Sequence, residues 1–127
     1  MDKELLLSDY KQALDRLGDA LQRDATDDVI KAGCIQYFEF TFELAWKTLK
    51  AIAYEYGEQD CNAPKSALKF AFKNDWILDE ELWLDMLRAR NRMPHTYKAS
   101  DALEVFQRLP SFYDGLRNLS ELLDAGE

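Results

Sequence analysis

An all-α fold, an up-and-down antiparallel bundle of four long helices with one short helix added, is the class this sequence predicts, on three observations. Apolar residues recur at alternating spacings of three and four along most of the chain, the period of a helix packed on one side. Five Gly and three Pro in 127 residues leave few turn signals, and no apolar/polar alternation is long enough to build a sheet. Apolar residues make up 47% and aromatic residues 13% of the chain, ample material for one core in one domain spanning 1–127. That length excludes a two-lobed enzyme with separate cofactor and substrate domains, so elaborate chemistry calls for a second chain.

The first helix, over about residues 4–24, carries Leu7, Tyr10, Leu14, Leu17 and Leu21 on one stripe. Thr26, Asp27 and Asp28 offer capping chemistry for a second helix, expected from about Val29 to Tyr56 and stopped by Gly57. Its stripe is Ile35, Phe38, Phe42, Ala45, Leu49 and Ile52, and beside it lies a second apolar set, Tyr37, Phe40 and Leu44. One neighbour does not cover so wide a face. The helix is either central in its own bundle or meets another subunit, and both can hold together.

After the polar loop Gly57–Asn62, Pro64 suits the first position of a short helix running to about Asn74, because its missing N–H needs no partner there. Asp79 caps a fourth helix with Glu80 and Glu81 in its first turn and Arg88, Arg90 and Arg92 towards its end, matching the macrodipole. Met93 precedes Pro94 and is biased out of helical geometry, so the helix ends near Arg92. Ser100 or Asp101 starts a last helix whose stripe, Ala102, Val105, Leu109, Tyr113, Leu116 and Leu123, keeps one phase across Pro110. Pro110 therefore reads as a kink and not a stop.

The formal charge of −8 disfavours broad electrostatic attraction to nucleic acid. Cys34 and Cys61 form no CxxC pair, and the N-terminus has no long apolar stretch for a signal peptide or a membrane span. A cytoplasmic protein with reduced thiols and no membrane association is expected. There is no GxGxxG or GxxxxGK loop, no Ser elbow and no Cys/His cluster, so neither a cofactor nor a metal is expected on this chain. Glu39 and Glu43 lie one turn apart, but with one His in the chain they lack the partners of a di-metal bundle site. A structural or interface role is expected for both, with Glu43 pairing Lys47 at i,i+4.

The informative stretch is Arg88-Ala-Arg-Asn-Arg-Met-Pro-His-Thr-Tyr-Lys98. From Leu84 to Ser100, Arg88, Arg90, Arg92 and Lys98 stand against Asp85, a formal +3, while the remainder carries −11. The one basic island surrounds the one histidine. An arginine can hold a phosphate and His95, at a helix junction, can titrate near neutrality, so the pair can bind and polarise a phosphodiester and move a proton without a metal. Arginines in a last turn are also ordinary dipole partners, and a His beside a Pro is commonly a plain loop residue.

The block Phe38-Glu-Phe-Thr-Phe-Glu-Leu-Ala-Trp-Lys-Thr-Leu-Lys50, then Trp83-Leu-Asp-Met-Leu87, then Arg90-Asn-Arg-Met-Pro-His-Thr-Tyr97 resembles the nucleotidyltransferase substrate-binding protein family, a branch of the HEPN (higher eukaryotes and prokaryotes nucleotide-binding) superfamily. The resemblance spans roughly Tyr37 to Lys98. It implies a small helical bundle, usually dimeric, that associates with a separately encoded minimal nucleotidyltransferase. It also implies a relation to toxins in which Arg-x4-6-His forms a metal-independent endoribonuclease centre between two protomers, and in which the nucleotidyltransferase can silence the toxin by adenylylating a tyrosine. Carried over, Arg90 holds the phosphate, Asn91 is its polar neighbour, His95 transfers the proton and Tyr97 is the modification site. The match is complete at those four positions, and Pro94, immediately before His95, is a local peculiarity that bears on how the imidazole approaches.

Three readings follow. The leading one is a binding module, the accessory subunit of a two-component, toxin–antitoxin-like nucleotidyltransferase system. The second is an enzyme, a ribonuclease acting on RNA and neutralised by the same partner. The third is a non-catalytic helical adaptor. The first two share one fold and one motif, so sequence does not separate them.

Overall fold

A computed structural model describes residues 2–24, 26–93 and 99–126. Among them are five helices: α1 (Lys3–Leu21), α2 (Asp28–Glu55), α3 (Pro64–Lys73), α4 (Glu80–Arg92) and α5 (Ala99–Ala125). Local chemistry sets their ends. Asp2, Asp27 and Asp79 each accept a hydrogen bond from a first-turn N–H, of Glu4, Val29 and Leu82 respectively, as N-caps do. Gly57, at φ +85, terminates α2 while Glu58 N–H donates back to the Ala53 carbonyl, the left-handed stop that glycine accepts without strain. Pro64 opens α3 as expected. Its far end uses Asp75 in the left-handed region, at φ 62, so that Trp76 N–H reaches the Ala71 carbonyl. Pro110 lies inside a continuous α5.

Side-chain pairs fix the directions. Lys3 meets Glu55, bringing the start of α1 to the end of α2. Phe38 stacks on Phe112 with ring centroids 5.1 Å apart, and Lys31 lies over Phe106, so α2 and α5 run the same way. Asp85 meets Arg108 and Arg92 meets Glu104, which sets α4 against α5. The four longer helices therefore alternate in direction. One apolar cluster joins all five helices around Phe38, Phe42, Leu49, Met86, Leu109 and Leu116. The Tyr10 hydroxyl of α1 donates to the Leu116 carbonyl of α5 within this core, and burial raises its pKa well above the usual phenol value.

The whole of the expected α2 stripe is buried. Its second apolar set divides: Tyr37 and Leu44 are half-buried, whereas Phe40 is 49% exposed. Helix α1 ends three residues before the expected Asp24. Cys61, in the segment read as a polar loop, is buried, and both cysteines are free thiols. Among the described residues no helix is long and apolar enough to cross a membrane.

Candidate functional site

The last turns of α4 lie beside the middle of α2, and there the arginines part company. Arg88 and Arg92, one turn apart, face α5 and pair with Asp85 (2.6 Å) and Glu104 (3.6 Å). Arg90 projects from the other side, towards α2, because two residues along a helix turn the direction by about 200°. The island that reads as one patch in the sequence is thus distributed over two faces, and each of its described arginines has an acidic partner.

Arg90 is held on two sides. Glu43 Oε1 accepts from Arg90 Nε at 2.7 Å and lies 2.6 Å from Nη2. Arg90 Nη1 donates to Asn91 Oδ1 at 3.0 Å. The other carboxylate oxygen, Glu43 Oε2, accepts from Trp46 Nε1 at 3.0 Å. Trp46 is buried, so the indole anchors the carboxylate and the carboxylate aims the guanidinium. A guanidinium has five N–H donors, and the end of this fork retains donors for an anion.

The expected pairing of Glu43 with Lys47 is corrected: Glu43 faces Arg90 and Trp46, while Lys47 points to solvent. On the helical wheel Glu39 and Glu43 share the flank that meets Arg90 of α4, whereas Lys47 is exposed. Glu39 completes the cluster. Burial raises its carboxyl pKa, the nearby Arg90 charge lowers it and the Glu43 charge raises it, for a net upward shift. Arg90 itself is half-buried, with 32% of its side chain exposed. His95 and Tyr97, like Pro94, lie outside the described residues; the structure brings together Arg90 and Asn91 of the expected four. The spacing of the sequence assigns no role at the site to Glu43 and Trp46, although the Phe38–Lys50 block contains both. Among the described residues no three His, Cys, Asp or Glu side chains converge as a metal site requires.

Residues 5–125 match the model of the family described as nucleotidyltransferase substrate binding protein like. A probable ribonuclease HepT from Haemophilus influenzae is 30% identical over 105 residues, covering 80% of this chain and 72% of that protein. A solved structure from Thermus thermophilus superimposes with a TM-score of 0.82 at 28% identity, over 90% of this chain and 98% of the other. Another, from Haemophilus influenzae, is described as revealing the fold of a substrate binding domain of a nucleotidyltransferase; it gives a TM-score of 0.67 at 25% identity over 96% of each chain. With the match running through all five helices and the Glu43–Arg90 cluster, the chain belongs to the nucleotidyltransferase substrate-binding protein family.

Proposed function

We propose that this chain is the accessory subunit of a separately encoded minimal nucleotidyltransferase, working in the cytoplasm as a homodimer in a toxin–antitoxin-like pair. The observation that carries this is the family match over residues 5–125, in a sequence without a phosphate-binding loop of its own. The acidic surface complements a basic protein partner and steers its approach. Titration calorimetry with the neighbouring nucleotidyltransferase is expected to give micromolar binding, and ATP added to this chain alone little heat. Micromolar ATP binding without the partner would overturn the division of labour.

A second reading, a metal-independent endoribonuclease, is favoured by the Arg90 geometry. A guanidinium aimed by Glu43 and Asn91 is organised before substrate arrives, and that is how a fixed charge best stabilises a phosphodiester in reaction. On this reading His95 moves the proton, and AMP attached to Tyr97 supplies a phosphodiester that competes with RNA for the arginine. On this reading His95→Ala and Arg90→Ala each abolish cleavage, EDTA leaves it unchanged, and the partner with ATP and Mg²⁺ adds adenylyl groups that Tyr97→Phe prevents. Cleavage that survives His95→Ala would remove the reading, and modification that persists in Tyr97→Phe would remove Tyr97 from it.

A further inference from the structure

A groove of about 560 Å³ lies along the start of α1 and the second half of α2. Its floor is apolar: Leu6 and Trp46 are buried and Ala51 half-buried. Its rim carries three cations. Lys3 pairs with Glu55 at 3.1 Å, whereas Lys47 and Lys50 are exposed on α2 and have no ion-pair partner among the described residues. Tyr54, 68% exposed, stands at the same rim. In a protein of net charge −8, this surface combines a ring face open to solvent, an apolar floor and a local excess of positive charge.

These are the elements of a site for an unpaired nucleotide: a π-face for the base, cations for the phosphates on either side, and an apolar wall. The groove also shares a wall with the Arg90 cluster. Trp46 lines the groove and, through Nε1, buttresses the Glu43 carboxylate that aims Arg90. We infer that the groove binds one unpaired nucleotide of a single-stranded RNA whose neighbouring phosphate is held by Arg90. The inference rests on the ribonuclease reading of Arg90. The charge complementarity is with phosphate, and Tyr54, exposed at the rim, supplies an aromatic ring for a base. An acidic segment of a protein partner is the other occupant that the test distinguishes.

The test uses the full chain and fluorescein-labelled 12-mer RNA with 2′-O-methyl sugars, so that binding is read without cleavage. K47E/K50E is expected to weaken binding at least tenfold and to reduce the slope of log affinity against log salt by about 1.4, at about 0.7 per single-strand phosphate. Tyr54→Ala is expected to weaken binding about tenfold, the scale of one lost base stack. RNA should quench tryptophan emission, and the quench should disappear in Trp46→Phe, in which Trp76 and Trp83 remain. Lys47, Lys50 and Tyr54 are exposed, so melting should hold and show that these variants fold. Unchanged affinity in both K47E/K50E and Tyr54→Ala overturns the inference. So does a wild type that ignores RNA while the same variants lose the nucleotidyltransferase, which assigns the groove to protein. Groove-dependent binding with no cleavage of unmodified RNA removes the ribonuclease reading and leaves the groove; Arg90-dependent cleavage untouched by the groove variants does the reverse.

Discussion

Glu43 is the residue on which the site turns, because one carboxylate joins a buried indole to a half-exposed guanidinium. With about a third of each side chain in contact with solvent, the pair is weaker than a fully buried one. Glu43→Gln keeps the shape and removes the charge, and is expected to lower stability by about 1 kcal/mol, the scale of a weakened charged hydrogen bond; denaturant unfolding measures it. If the chain cuts RNA, the same variant should slow cleavage by about tenfold to a hundredfold through loss of aim. Glu39 works in the opposite sense. Its folded pKa is raised, chiefly by burial, so the folded state holds the proton more tightly than the unfolded chain, and stability is lost as pH rises through the folded value. Glu39→Gln should therefore melt higher than wild type at pH 7, and the gap should close below the ordinary carboxyl range; a gap constant from pH 3 to 8 would contradict the assignment.

Helix α4 exists because of its ends as much as its packing. Asp79 supplies the one side-chain acceptor at its start, and Trp83, Met86 and Ala89 are its buried residues. Asp79→Ala is expected to cost about 1 kcal/mol, the value of an N-cap, read as a lower Tm with the Arg90 cluster intact. Helix α5 contributes the larger apolar surface. Phe112, stacked on Phe38 and almost wholly buried, is absent from the stripe read in the sequence, which follows one row of positions when two adjoining rows are buried. The start of every helix with a capping Asp or an N1 Pro is legible, because those bonds are local. The end of α3 is less so: Asp75 holds a left-handed conformation that sequence ordinarily signals with Gly.

At the scale of the whole molecule, the 28-residue α2 keeps part of its apolar face uncovered by the bundle. Val29 is 78% exposed, and Phe40 lies between the half-buried Tyr37 and Leu44. This apolar face occupies the first half of the helix, apart from the Lys47–Tyr54 groove in the second. Sedimentation at micromolar concentration is expected to give about twice 14.8 kDa, and Phe40→Glu to shift the population towards monomer while the helices stay folded, since Phe40 is outside the core. A wild type that remains monomeric on concentration would remove the dimer and, with it, a site shared between protomers.

Helix number, the capped or Pro-led starts of α2, α3 and α4, and the whole buried stripe of α2 were determined by the sequence alone, because each depends on a period of 3.6 residues or on bonds within four positions. The partner of Glu43 was decided only by tertiary structure. Lys47 is one turn away and is the natural choice when only local spacing is visible, whereas Arg90 lies 47 positions on and comes within reach only when α4 packs beside α2. The same packing splits the basic island, turning Arg90 inward and leaving Arg88 and Arg92 to the carboxylates of Asp85 and Glu104. Which of three neighbouring arginines is held by a carboxylate of α2 depends on the direction each leaves its helix and on what the next helix presents, and that is a property of the assembled bundle.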